Sequence, residues 1–150
     1  MAATMSHVLV ALDGSARDRE VVDVAARVAT TTGVSLALVL PHTPKVTARL
    51  ADFAAGEEIT PADAAEAYVD LLAEPVRDAG VPTAAITVPA DDAASALSAY
   101  ADRHHSAVIL AAAGTRPALR RSLAERLARI SSTPLIVVPA QFDGSATAAA

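Results

Sequence analysis

Five short apolar runs recur along the chain, separated by turn residues and stretches of helical spacing. Residues 8–12 are apolar without interruption, as expected of a strand buried on both faces. Val21, Val22, Ala25, Val28 and Ala29 then repeat at helical intervals, and Gly33 supplies a stop. Residues 36–40 predict a second strand, closed by Pro41. Thr60 and Pro61 carry N-cap and first-turn chemistry for a helix reaching Ala79, which Pro75 should kink or restart. Residues 85–88 predict a third strand, and 91–103 a helix with Ala94, Leu97 and Ala101 inward. A fourth strand follows over 107–111, ended by Gly114. Leu123, Leu127 and Ile130 form the stripe of a last helix, and 135–138 a fifth strand closed by Pro139. Between residues 42 and 60 no periodicity is firm; Thr43-Pro44 and Gly56 argue against one long helix. Residues 141–150 are small and polar and read as a disordered tail.

Strands alternating with helical crossovers predict an α/β fold: a three-layer sandwich around a five-stranded parallel sheet, one domain over residues 1–140. In such sheets a ligand crevice opens beyond the carboxyl ends of the strands, where the strand order reverses. Here that means the ends of the first and fourth strands.

Composition narrows the chemistry. Hydrophobic residues are 53% of the chain and aromatics 3%, so Ala, Val, Leu and Ile must build the core. Twelve basic against seventeen acidic residues give a net charge of −5. That balance leaves no electrostatic footprint for nucleic acid, and so few aromatics give no stacking platform for single strands. Without cysteine there is no disulfide or thiolate metal site. No apolar run reaches the roughly 18 residues of a membrane span. The residues before the first strand do not read as a signal peptide, so a cytoplasmic location is expected.

Two turns could carry chemistry. Asp13-Gly14-Ser15 follows the first strand directly. Gly14 permits a sharp turn, Ser15 can cap the next helix, and Asp13 can accept a hydrogen bond from a ligand. The same tripeptide also suits an ordinary strand-to-helix turn. After the fourth strand, Gly114 opens a loop holding Arg116, Arg120 and Arg121. Ser122 and Glu125 fit a capping box at the last helix, whose first amides would face the crevice. The arginines could neutralise phosphates or could simply be solvated. The histidines have no metal-site spacing: His104 and His105 are adjacent at a helix end, His7 starts a strand and His42 lies in a loop. No Gly-x-Ser-x-Gly or Walker-type motif is present, and Lys45 is the only lysine, so no enzyme activity is expected.

Residues 8–15, Val-Leu-Val-Ala-Leu-Asp-Gly-Ser, together with the closing stretch Ser122 to Pro139, resemble the universal stress protein family, the UspA-like group. The resemblance implies an adenine nucleotide α-hydrolase-like sheet of strand order 3-2-1-4-5. It also implies a site, where binding is retained, at Ala11, Leu12, Asp13, Gly14, Ser15, Pro41, Ala113, Gly114, Arg116, Arg121, Ser122 and Leu123. ATP with magnesium, or a cyclic relative, is the ligand so implied. In nucleotide-binding members the loop reads Gly, two residues, Gly, nine residues, then Gly with Ser or Thr. Here Gly114 matches the first glycine and Ser122 keeps the hydroxyl, but Pro117 and Arg121 replace the other glycines. The loop is about six residues short of the pattern. Proline offers no amide and arginine adds bulk, so the phosphate cradle reads as degraded. The expected function is a stress-response regulatory domain acting without ATP, with adenine-nucleotide sensing as the alternative. The resemblance also implies a homodimer through Leu135, Ile136, Val137 and Val138, since an uncovered apolar edge invites pairing. Within one chain, Phe142 and the tail could cover that edge instead.

Overall fold

The computed structural model describes residues 7–55, 58–114 and 122–140. The expected tail, together with Arg116, Pro117, Arg120 and Arg121, lies outside them. Five strands, β1 (His7–Ala11), β2 (Ser35–His42), β3 (Thr83–Pro89), β4 (Val108–Ala112) and β5 (Leu135–Val138), form one parallel sheet in the order β3-β2-β1-β4-β5. Around it pack α1 (Asp18–Thr32), α2 (Pro44–Arg49), α3 (Pro61–Asp78), α4 (Ala93–His104) and α5 (Leu123–Ile130).

Alternation along the strands builds two cores. Val8, Val10 and Leu12, with Leu36, Leu38 and Leu40, face α1, α2 and α3. Leu9, Ala11, Ala37, Val39, Ile109 and Ala111 face α4 and α5. β1, β2 and β4 therefore read as continuous apolar runs because both of their faces are covered. Burying one such Leu or Ile side chain contributes about 1.5–3 kcal/mol. The expected three layers are present. Among the described residues, no helix is long and apolar enough to cross a membrane.

Two local expectations needed correction, and one segment left open is filled. The second strand does not close at Pro41 but runs on to His42, with Pro41 opposite Val88. The Val39 carbonyl accepts from the Leu12 amide, so alternate positions, including Pro41, face β1. β1 has already turned away there, and the amide that proline lacks would have had no ladder partner. Pro75 neither breaks nor restarts its helix: α3 is continuous. The lost bond is to the Leu71 carbonyl, and both Leu71 and Pro75 lie on an exposed face near the helix end, open to solvent. Finally, residues 42–60 hold the short helix α2, which begins at Thr43-Pro44. The Thr43 hydroxyl accepts the Val46 amide at 3.2 Å, just as Thr60 caps α3 through the Asp63 amide at 3.1 Å.

Candidate functional site

The strand order reverses between β1 and β4, and the turns leaving both strands meet at that point. Arg17 joins them. Its guanidinium donates to the Ala113 carbonyl at 2.8 Å and the Val138 carbonyl at 3.1 Å, and its Nε pairs with Glu20. One side chain thus ties the first turn to the ends of β4 and β5.

Residues 13–17 form the first turn. Gly14 has φ +80°, a left-handed conformation that side chains with a Cβ resist. Ser15 does not cap α1, contrary to expectation: Arg17 occupies the N-cap position and no side chain caps the helix. Ser15 Oγ accepts the Arg17 amide at 3.3 Å instead, because α1 starts two residues later than that role required. Asp18 does the corresponding work in reverse. Its carboxylate folds back to accept the Asp13 amide at 3.1 Å and the Gly14 amide at 2.8 Å. The Tyr68 hydroxyl, reaching in from α3, donates to the same carboxylate at 2.7 Å.

Asp18 is only 2% exposed. Burial, reinforced by the neighbouring Asp13 charge, pushes its carboxyl up to about 7 against the hydrogen bonds that favour ionisation. Burial and the Asp18 carboxylate likewise push the Tyr68 phenol up, so it remains a donor. Asp13 behaves oppositely. Burial would raise it, but hydrogen bonds from Ser15 and the Arg49 charge hold it below the usual carboxylate range. Its Oδ1 accepts the Ser15 amide at 2.9 Å, and its Oδ2 lies 3.2 Å from Arg49.

A cavity of about 250 Å³ opens here. Of the expected site residues, Ala11, Leu12, Asp13, Ala113, Gly114, Ser122 and Leu123 line it. Gly14 and Ser15 line a separate depression behind the turn, and Pro41 is buried within β2 away from the cavity wall. Thr43 and Val46 take the place expected of Pro41. Arg116 and Arg121 fall outside the described residues. Sequence reasoning missed Arg17, Asp18, Lys45, Arg49 and Arg126, which also line the cavity. Four cations there face two carboxylates, Asp13 and Asp18, which favours an anion. Arg126 pairs with Asp92 and Arg49 with Asp13, whereas Lys45 has no ion pair among the described residues. Among those residues, no group of three His, Asp or Glu could hold a metal.

Gly114 and Ser122 close the second turn. A Cβ on Gly114 would lie 3.0 Å from Ser122 Cβ, so a side chain here fits only if Ser122 gives way by a few tenths of an ångström. Ser122 Oγ caps α5 by accepting the Glu125 amide at 3.2 Å, half of the expected box. The two glycines should therefore respond differently. Gly14→Asn should be mild, because Asn tolerates positive φ and the nearest atoms to a Cβ there stand 3.6 Å away. Gly114→Asn should lower stability by about 1–3 kcal/mol through overpacking, read as a lower midpoint of thermal unfolding. Equal losses at both positions would contradict this assignment.

The sequence pattern of the Universal stress protein family matches residues 5–139. The chain belongs to the universal stress protein family. Solved universal stress proteins share its fold. One from Burkholderia pseudomallei is 24% identical, covering 93% of this chain and 100% of its own, with a TM-score of 0.66. A universal stress protein in complex with cAMP is 18% identical, covering 93% and 100%, with a TM-score of 0.68. The Archaeoglobus fulgidus protein in complex with dAMP is 19% identical, covering 89% and 96%, with a TM-score of 0.58. No curated protein matches the chain. As a universal stress protein domain, it has the five-stranded order the resemblance implied, with its crevice at the point of reversal.

Proposed function

We propose that this protein is a non-catalytic stress-response regulatory domain that works as a homodimer through β5 and does not use ATP. The observation that carries this reading is the internal saturation of the first turn. Both Asp13 carboxylate oxygens are engaged by Ser15 and Arg49, and the Asp13 and Gly14 amides are taken by Asp18. A triphosphate would need donors from the β4 turn, where Pro117 and Arg121 replace glycines. The chain's own residues therefore do not fit ATP with magnesium. Dimerisation is supported by the edge position of β5, where Ile136 is 48% and Val137 44% exposed.

A second reading, an adenine nucleotide bearing one phosphate, is favoured by the four cations and by the cavity's modest size. Solved relatives in complex with cAMP and dAMP carry such ligands. Thermal unfolding with millimolar ATP and magnesium, and separately with AMP and cAMP, distinguishes the readings. Micromolar binding adds a few kcal/mol by linkage and raises the midpoint by several degrees. ATP should give no shift; a shift abolished by Asp13→Ala would overturn the main reading. A shift with AMP or cAMP alone, lost in Lys45→Ala, would establish the second. Light scattering should show a dimer that Val137→Lys converts to a monomer. A native monomer at tens of micromolar would remove the dimer from the proposal.

A further inference from the structure

Beside the first turn lies a shallow depression of about 300 Å³ between the start of α1, the residues after α2, and α3. Phe53 and Tyr68 both line it, their rings edge-to-face with centroids 5.7 Å apart. Tyr68 is fixed from below by its hydrogen bond to Asp18. Leu71 is half exposed and Phe53 is 40% exposed at the rim, with Arg19 and Arg49 completing it. Scattered exposed apolar residues need no explanation, but these two line one concavity. The charge is equally particular. The chain carries a net charge of −5, yet among the described residues no carboxylate lines this depression and Arg19 has no ion pair.

We propose that this face docks an acidic peptide segment of a partner protein, with an apolar side chain seated between Phe53 and Leu71 and an acidic group on Arg19, Arg49 being already held by Asp13. A packed aromatic pair accepts an anchor with little loss of freedom, and the unpaired Arg19 beside it selects the flanking charge. A lysine-flanked segment would meet the same arginines with repulsion. A second copy of this chain offering its exposed β5 edge is a poorer occupant, because residues 132–140 hold no acidic side chain. The inference stands apart from nucleotide binding, since only Arg49 lines both concavities.

The test is fluorescence anisotropy of the full chain with a labelled hexapeptide, a leucine–phenylalanine pair flanked on each side by two acidic residues. Two further probes replace the acids with lysines or the central pair with serines. The acidic apolar probe should bind saturably, and both controls at least about tenfold more weakly, ~1.4 kcal/mol. Arg19→Glu and Leu71→Ser should each weaken it by about tenfold. Both side chains are exposed, so thermal midpoints should stay near the parent value. Equal binding of the lysine-flanked probe would overturn the proposal. So would binding untouched by both substitutions but lost in Ile136→Lys, which would place the peptide on β5.

Discussion

Asp18→Ala is expected to produce the largest loss of stability of any single polar substitution described above, about 3–5 kcal/mol. Two donors, the Asp13 and Gly14 amides, lose their acceptor at once, and the Tyr68 hydroxyl keeps only the Ser15 carbonyl at 3.3 Å. Each buried donor left unpaired costs about 1–3 kcal/mol. Relief of a buried charge offsets part of that sum. Asp18→Asn keeps one acceptor oxygen but sets its own N–H groups against the backbone amides, so it should lose less. The pH dependence distinguishes this account from a generic packing defect. Asp18 binds its proton more tightly folded than unfolded, at about 7 against 3.8. Between those values the folded state holds the extra proton, so stability falls as pH rises from about 4 through 7. Asp13 acts in the other window: its depressed carboxyl contributes stability above about 4 that is lost as pH falls. Denaturant titrations at several pH values should show the downward slope from pH 5 to 8 in the parent and a flatter line in Asp18→Asn. An unchanged slope in the variant would assign the proton elsewhere.

Arg17→Ala ranks next, with an expected loss of about 2–4 kcal/mol. Hydrogen bonds from a charged donor contribute about 1.5–3 kcal/mol each, and Arg17 makes two to carbonyls at the strand ends. The Val138 carbonyl keeps the Ala113 amide at 2.8 Å, so the Ala113 carbonyl is the group left without a partner. Arg17→Lys should recover part of the loss, since an ammonium lacks the fork that spans both carbonyls. Hydrogen exchange should show faster opening of β5 than of β2 in the alanine variant. Uniform acceleration across the sheet would mean that the two turns are held together by something else.

The strands were legible because a parallel sheet covered on both faces forces near-continuous apolar runs, and Leu9, Leu38 and Ile109 sit where those runs placed them. The two turns were legible too, since Asp13-Gly14 and Gly114 mark strand ends chemically. What stayed hidden has a common physical origin. Asp18 looks like any acidic residue in a first helical turn, and its partner Tyr68 is fifty residues away, so nothing local marks the pair. Arg17 resembles a surface arginine until the ends of β4 and β5 are beside it. The Thr43-Pro44 start of α2 carries the same dipeptide as Thr60-Pro61, but six residues are too few for a periodic stripe to identify a helix. Missing α2 meant missing Lys45, Arg49 and Val46, one wall of the cavity.

The phenol that props the first turn has an optical consequence. The chain has no tryptophan and two tyrosines, so its ultraviolet emission comes from Tyr68 and Tyr100 alone. Tyr100 stacks on His104, whereas Tyr68 is bonded to a carboxylate, a contact that quenches phenol fluorescence. Anything that frees the hydroxyl brightens the protein, and the difference between the parent and Tyr68→Phe isolates that signal. The turn is thus its own dye, readable without a label.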